Sequence, residues 1–172
     1  PRVNRAAAMI LGVMFMSAIY IYWGENSNER LFATHFDDYA DPKLYAMRSG
    51  GTDAEELNPT LDEAYNFYFE DNFEKAVFLF DSYSQENAVN DRTQFYLGLS
   101  YLKMENVEKA LPYFESVVAM EKSEVANGAK WYQALSYLKI GEEEKAKPIF
   151  EYITTIQDGF YDKKAIEILE EI

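Results

Sequence analysis

The chain has 172 residues, a formal net charge of −14, and a composition that is 48% hydrophobic and 16% aromatic. The acidic balance argues against nucleic acid and anionic lipid as partners, because both are bound through a basic face. The absence of cysteine excludes disulfides, thiolate metal sites and cysteine nucleophiles.

An uncharged apolar stretch occupies residues 6–23, and Arg2 and Arg5 lie before it. As a helix its 18 residues would rise about 27 Å, close to the roughly 30 Å hydrocarbon core of a membrane. The basic residues at its start place the N-terminus in the cytoplasm by the positive-inside rule. Residues 1–24 are therefore predicted to form a basic N-terminus and a single transmembrane helix of the inner membrane, with the following domain in the periplasm.

Two other interpretations of residues 6–23 stay open. A basic start and an apolar middle also fit a cleaved signal peptide, although the run is long and lacks a small-x-small cleavage site. The stretch could instead be a buried helix of a soluble domain.

Residues 25–58 form a connector whose two ends are polar and rich in turn-forming residues. Its middle carries too many apolar side chains for a free tether. They are Leu31, Phe32, Phe36, Tyr39, Leu44, Tyr45 and Met47. Three of the aromatic residues fall on one side of a possible short helix, which Pro42 ends. We expect part of this connector to dock, either onto the rest of its own chain or onto a partner.

The remaining two thirds of the chain repeat one small pattern three times. Ala76, Ala110 and Ala146 each stand four residues before a phenylalanine. The steps from one of these alanines to the next are 34 and 36 residues. A fixed period of this size is typical of helical solenoids. Stacked helix pairs present an extended surface to another chain, and this favours a binding function over a catalytic one.

The period and the residues resemble the tetratricopeptide repeat (TPR) family, which places Leu-Gly, Tyr, Ala and Phe at set offsets. The second unit fits best, with Leu97, Gly98, Tyr101, Ala110 and Phe114 at those offsets. The third unit keeps most of them, and the first departs further. The resemblance covers residues 57–172 and implies a TPR α-solenoid there. Together with the transmembrane helix predicted from residues 6–23, the expected fold is all-α.

The predicted solenoid spans residues 59–172 as three helix hairpins and a C-terminal capping helix. The hairpins occupy residues 59–90, 91–124 and 125–158, and the capping helix occupies residues 159–172. Thr60 and Glu63 form a capping box that predicts the first helix start at Thr60. Pro112 and Pro148 lie past the first turn of a predicted second helix, where each should remove a backbone hydrogen bond and bend the helix.

In the TPR family the first helix of each hairpin lines a concave groove. The resemblance implies a largely apolar groove made by Leu61, Tyr65, Tyr68, Phe69, Arg92, Phe95, Leu99, Leu102, Lys103, Trp131, Leu135, Leu138 and Lys139. TPR domains that clamp a chaperone's C-terminal carboxylate have Lys, Arg and Asn at these places, so capture of a chain terminus is not expected. The groove suits an amphipathic helix or an extended hydrophobic segment. Its occupant is left open between the connector, with Phe32, Phe36 and Tyr45 as candidates, a separate protein, and a second copy.

No chemistry-bearing motif is present. His35 is the one histidine, so no histidine or cysteine can complete a metal pair with it, and no phosphate loop or nucleophile elbow occurs. We therefore expect no enzymatic activity, no cofactor, no metal and no small-molecule substrate.

The predicted function is a membrane-tethered scaffold or adaptor on the periplasmic side, as a subunit or accessory of an envelope membrane complex. Its expected partners are subunits of that complex or amphipathic and hydrophobic peptide segments, and not nucleic acid. The alternative is a hydrophobic-peptide receptor or chaperone, similar to a translocon accessory or an import receptor that binds basic presequences. A third possibility is an accessory of a soluble enzyme whose apolar start is removed.

Overall fold

The computed structural model describes residues 10, 13–17, 27–37, 39, 58–120, 122–156 and 160–172. In this part of the chain every regular element is a helix, so the predicted all-α solenoid is confirmed. Residues 27–35 form a helix that we call the connector helix. Seven further helices follow: α1 (Pro59–Phe69), α2 (Phe73–Glu86), α3 (Asp91–Lys103), α4 (Val107–Val118), α5 (Ala126–Lys139), α6 (Glu143–Ile156) and α7 (Tyr161–Leu169).

The seven helices stack in chain order, because each packs against the one before it and the one after it. Helices α1 and α2, α3 and α4, and α5 and α6 form three hairpins, and α7 packs on α6 as the last layer. Ala165 and Ile168 on α7 are fully buried, so this helix covers apolar surface that the third hairpin would otherwise expose.

The three hairpin turns share one backbone conformation. Asp71, Glu105 and Gly141 stand at equivalent places and have φ angles of 57°, 58° and 76°. This left-handed residue ends the first helix of each hairpin in a Schellman motif. The diagnostic 2.9 Å bonds join Asn72 N to Phe67 O, Asn106 N to Tyr101 O, and Glu142 N to Tyr137 O.

One local prediction on the helices needs correction. Helix α1 begins one residue after Asn58, whose side chain accepts a hydrogen bond from the Thr60 backbone N–H at 2.9 Å, so Thr60 is not the N-cap. Asn caps at least as well as Thr, and Pro59 suits the first helical position. Helices α4 and α6 continue through Pro112 and Pro148, and the bend expected at each proline stays a prediction. Both prolines are exposed, so water can hydrate the carbonyl that each leaves without a backbone donor.

The predicted transmembrane helix over residues 6–23 is wrong. Among the residues that the structure describes, no helix combines the length and the apolar character that crossing a membrane requires. Within this stretch the structure describes Ile10 and residues 13–17, which are helical and exposed.

The predicted location in the inner membrane, with a cytoplasmic N-terminus and a periplasmic solenoid, depended on that helix and is wrong with it. The prediction came from the uncharged apolar run of residues 6–23 and from the basic residues before it. The division of the chain at residues 1–24, 25–58 and 59–172 stays a prediction.

Small residues bring the two helices of a hairpin close together. A Cβ placed on Gly98 of α3 would lie 2.7 Å from Phe114 Cε1 on α4. Phe114 is fully buried and stacks at 6.0 Å on Tyr132 of the next hairpin, so its ring has little room to move. The glycine therefore sets the distance at which α3 and α4 cross.

Tyrosine rings pack the second and third hairpins against the hairpin before each. Tyr96 lies 5.0 Å from Tyr65 and 6.2 Å from Phe80, measured between ring centroids, on the first hairpin. Tyr132 stands at the equivalent place one repeat later and contacts Phe95 and Phe114 of the second hairpin in the same way. Ring pairs of this kind add about 0.5–1.5 kcal/mol each beyond burial of their area.

A carboxylate and two tyrosines meet where α2, α3 and α4 come together. Tyr101 and Tyr113 stack at 5.6 Å, and Asp81 lies close enough to influence the pKa of both tyrosines. Burial raises the pKa of Asp81 above 3.8, and the hydrogen bond from Tyr113 opposes this in part. Burial, together with the nearby Asp81 charge, raises the pKa of Tyr113 to about 12. The folded state therefore favours the protonated form of each group.

We expect Gly98→Ala to lower the free energy of unfolding by about 1–2 kcal/mol. Overpacking against Phe114 costs about 1–3 kcal/mol, and the smaller backbone entropy gain of alanine returns about 0.5–1 kcal/mol. Urea denaturation measures the change. In a Phe114→Leu background the same substitution should cost less, because the obstructing ring is gone. An equal cost in both backgrounds would contradict this account of the crossing.

We expect Asp81→Asn to increase the free energy of unfolding over that of the native chain, and to do so more at pH 7 than at pH 3. Since the pKa of Asp81 is higher in the folded state, its favourable contribution is complete below 3.8 and is lost as pH rises through the folded-state pKa. Asparagine is uncharged at every pH, so its contribution to stability is not lost as the pH rises. Denaturation at several pH values measures the difference, and Glu108→Gln, at an exposed position on α4, controls for removal of one negative charge. A difference that does not grow between pH 3 and pH 7 would refute the prediction.

Candidate functional site

Most residues of the predicted groove are buried. Nine of them are less than 9% exposed: Leu61, Tyr65, Tyr68, Phe95, Leu99, Leu102, Trp131, Leu135 and Leu138. Arg92, Lys103 and Lys139 are partly exposed, and Phe69 is 42% exposed. An apolar concave face this closed to water must be covered, and two kinds of neighbour cover it.

The first kind of neighbour is the rest of the stack. Trp131 packs against Phe150 of α6 at 5.6 Å and against Tyr161 of α7 at 5.3 Å, measured between ring centroids. Tyr65 and Tyr68 contact Tyr96 on the second hairpin. These three residues therefore join neighbouring helices to one another.

The second kind of neighbour is the chain's own connector. We call residues 27–37 and 39 the docked segment. Its Phe32 meets Lys139, its Phe36 meets Tyr132, and its Tyr39 lies beside Gly128. The numbers rise along the segment while they fall along α5, so the two run antiparallel. Of the occupants that the sequence left open, the connector contacts Phe95, Lys103 and Lys139 of the predicted groove. Tyr45 lies outside the described residues.

One face of the connector helix is buried against this surface. Asn28, Leu31, Phe32 and His35 are each less than 9% exposed and follow the i, i+3, i+4, i+7 spacing of a single helix face. Leu31 is among the most fully buried side chains of the described residues. His35 thus takes the structural role that is usual for one histidine on an apolar face.

Two lysines hold the two phenylalanine rings. Lys139 Nζ lies 4.3 Å from the Phe32 ring centroid, and Lys103 Nζ lies 5.0 Å from that of Phe36. Both distances fall within the range of a cation–π contact, which contributes about 0.5–1 kcal/mol where the site is partly exposed. The two lysines occupy the same place in consecutive repeats, so the solenoid period repeats the contact.

Helix α5 also binds the end of the docked segment. The Tyr132 hydroxyl donates a 2.6 Å hydrogen bond to the backbone carbonyl of Asp37. Tyr39 meets Phe95 edge to face, with ring centroids 4.7 Å apart. A Cβ on Gly128 would approach Tyr39 Cε2 to 3.1 Å, so this glycine leaves the space that the ring occupies.

Helix α6, helix α7 and the residues that follow α7 supply polar contacts along the rim. Asn28 Nδ2 donates to Glu143 Oε1 at 2.8 Å, Arg30 pairs with Glu171 at 2.8 Å, and Asp37 pairs with Lys164. Arg30 and Asp37 are mostly exposed, so each ion pair adds at most about 1 kcal/mol. Their order makes the docked segment antiparallel to α7 as well.

Five residues of this site were missing from the sequence prediction: Gly128, Tyr132, Glu143, Lys164 and Glu171. A signal existed for Tyr132, since it stands at the same repeat position as Tyr96. Gly128 stands at the repeat position of Arg92, which the prediction included, whereas Lys164 and Glu171 lie beyond the three hairpins. Among the residues that the structure describes, no group of three His, Asp or Glu side chains is placed to hold a metal ion.

Comparison with known proteins agrees with this geometry. Residues 92–120, which hold α3 and α4, match the tetratricopeptide repeat family. The structure resembles the second TPR domain of the human RPAP3 protein, determined by NMR in complex with the HSP70 peptide SGPTIEEVD. That likeness has a TM-score of 0.56 at 19% identity, over 65% of this chain and 90% of that one.

A crystal structure of MamA is also similar, with a TM-score of 0.56 at 16% identity, over 78% of this chain and 98% of that one. No curated protein sequence matches the chain. The chain therefore contains a tetratricopeptide repeat and has the fold of TPR domains. Nothing in these comparisons supports the predicted membrane-anchored envelope type.

We expect Lys139→Met to loosen the docked segment without unfolding the stack. Methionine keeps the length of the side chain and loses the cation, so backbone amides of residues 28–36 should exchange with deuterium about two- to fivefold faster. Hydrogen exchange with mass spectrometry measures this. Lys122→Met, at an exposed position away from the segment, should leave those amides unchanged. Equal exchange in Lys139→Met and the native chain would show that the ring contact contributes nothing.

Proposed function

We propose that this chain is a protein-interaction scaffold whose concave groove holds an aromatic helical segment of a protein chain. TPR domains are interaction modules, and the matched family is not a catalytic one. The observation that carries the proposal is the docked segment itself. It shows which chemistry the groove accepts: two phenylalanine rings, one tyrosine ring and a backbone carbonyl.

The proposed site consists of two layers. Phe95, Lys103 and Lys139 contact the occupant directly, together with Tyr132 and Gly128. Eight of the remaining residues of the predicted groove are buried within the stack. Their burial makes the surface preformed, which lowers the cost of ordering on binding.

The form of the partner follows from the groove chemistry. The RPAP3 TPR domain is found with a short HSP70 peptide, and a peptide-sized partner is in keeping with the groove of this chain. However, the positions that would clamp a terminal carboxylate carry mostly leucine and aromatic side chains here. The partner is therefore an internal helical segment and not a chain terminus.

The alternative role as a receptor for basic amphipathic presequences has less support. Lys103, Lys139 and Lys164 all point at the occupant, so a basic segment would meet like charge at three places. A partner within an envelope membrane complex was expected from the predicted anchor, and it has no support without that anchor.

Separation of the segment from the groove tests the proposed function. A protease site in place of Gly50 and Gly51 cuts the chain between the docked segment and α1. We expect the two fragments to stay associated after cleavage and to separate on dilution, because the groove binds the segment by contacts and not by the covalent link. Size-exclusion chromatography and sedimentation across a concentration series measure the dissociation midpoint.

Substitutions in the cut chain identify the contacts. Lys103→Met with Lys139→Met should weaken association about 5- to 30-fold, since two cation–π contacts are lost. Lys122→Met is the matched control and should leave the midpoint unchanged. Fragments that separate at every concentration, or that are indifferent to the paired substitution, would overturn the proposed function.

A further inference from the structure

We infer that the docked segment is an internal ligand that closes the groove, and that the external partner is an acidic aromatic helix of another protein which displaces it. This extends the proposed function and rests on it. Three observations support it: the partial exposure of the segment's contacts, the lysines that contact the segment, and the spacing of the aromatic rings that the groove binds.

The contacts of the docked segment differ from those between the hairpins. Hairpins meet through fully buried rings such as Phe80 and Phe114. The docked segment also has a buried face, but most of its contacts with the stack are made by the ends of side chains that are partly exposed. The side chains of Arg30 and Asp37 are 67% and 53% exposed within their ion pairs. Contacts of this kind resemble the polar rim and aromatic anchors of a protein interface.

Three lysines contact the docked segment, although the protein as a whole is acidic. The chain carries a net charge of −14, yet Lys103, Lys139 and Lys164 all face the rings and the carboxylate of the docked segment. Glu143 and Glu171 lie at the other end, against Asn28 and Arg30. The lysines therefore select an occupant with electron-rich rings followed by negative charge, in a fixed direction.

The position of Asp37 supports a recognition role for that charge. It follows the carboxyl end of the connector helix, where negative charge is unfavourable toward the dipole of the helix itself. Its pairing with Lys164 accounts for a residue that the local helix disfavours. The same preference would extend to a foreign helix with a carboxylate at this place.

The groove binds a short pattern of aromatic residues that a helix of another protein can also carry. It accepts aromatic rings at Phe32, Phe36 and Tyr39, which are spaced i, i+4 and i+7. The hydrogen bond from Tyr132 goes to a backbone carbonyl, which every residue offers. A partner therefore needs two phenylalanines four residues apart, a carboxylate directly after them and a further aromatic ring.

The test uses the full chain and a fluorescent peptide copying residues 27–39. The native chain should bind this peptide weakly, because its own segment competes at the high effective concentration of a tether. A Phe32→Ala, Phe36→Ala variant should bind it at least about tenfold more tightly, since apparent affinity rises with the fraction of open groove. Glu29→Ala, at an exposed position of the same helix, should behave like the native chain.

Two further measurements keep the outcome decisive. If the double variant loses helicity in circular dichroism, Asp37→Lys replaces it, because this change repels Lys164 and leaves the buried face intact. A peptide with lysine at the positions of Asp37 and Asp38 should bind the open chain at least about tenfold more weakly than the acidic peptide. Equal affinity of the acidic and the charge-reversed peptides would overturn the stated partner chemistry.

The outcomes separate this inference from the proposed function. Equal binding of the peptide to native and opened chains, or binding to neither, overturns displacement of an internal ligand. If the cut chain still holds its fragment under those conditions, the scaffold function stands and only the displacement fails. If the cut chain releases its fragment at every concentration, both fall together.

Discussion

Each helical hairpin of this chain can bury its aromatic face only against the next hairpin, and this constraint determines the rest of the structure. Small residues such as Gly98 allow two helices of a hairpin to cross closely, and rings such as Phe114 fill the space around the crossing. Tyr96 and Tyr132 then carry the packing from one hairpin to the next. Because the stack grows in one direction, it leaves an end to be covered and a concave side.

Two different segments cover the open end and the concave side of the stack. Helix α7 covers the last hairpin with a fully buried apolar face. The docked segment covers the concave side, where exposed leucine and aromatic residues would form a large apolar patch in water. It does so with one buried face and with charged tips that stay partly in solvent. A cover of that kind stabilises the groove and still presents the contacts of a ligand.

The periodic part of the fold could be predicted because its causes are local. The spacing of Ala76, Ala110 and Ala146 indicated three hairpins, and the structure has them at that spacing. Even the prolines within α4 and α6 did not prevent these helices, since both prolines face solvent. The apolar run at residues 6–23 was different. Its composition matched a membrane span, but composition does not decide how an apolar segment folds.

The sequence by itself determined the repeat, the helical hairpins, the capping helix and the aromatic character of the groove, because each depends on spacing along one or two turns of helix. Only the tertiary structure decided what fills the groove, in which direction, and through which lysines. Lys164 and Asp37 are 127 positions apart and meet because three stacked hairpins bring α7 beside the connector. No pattern within a single repeat encodes that distance.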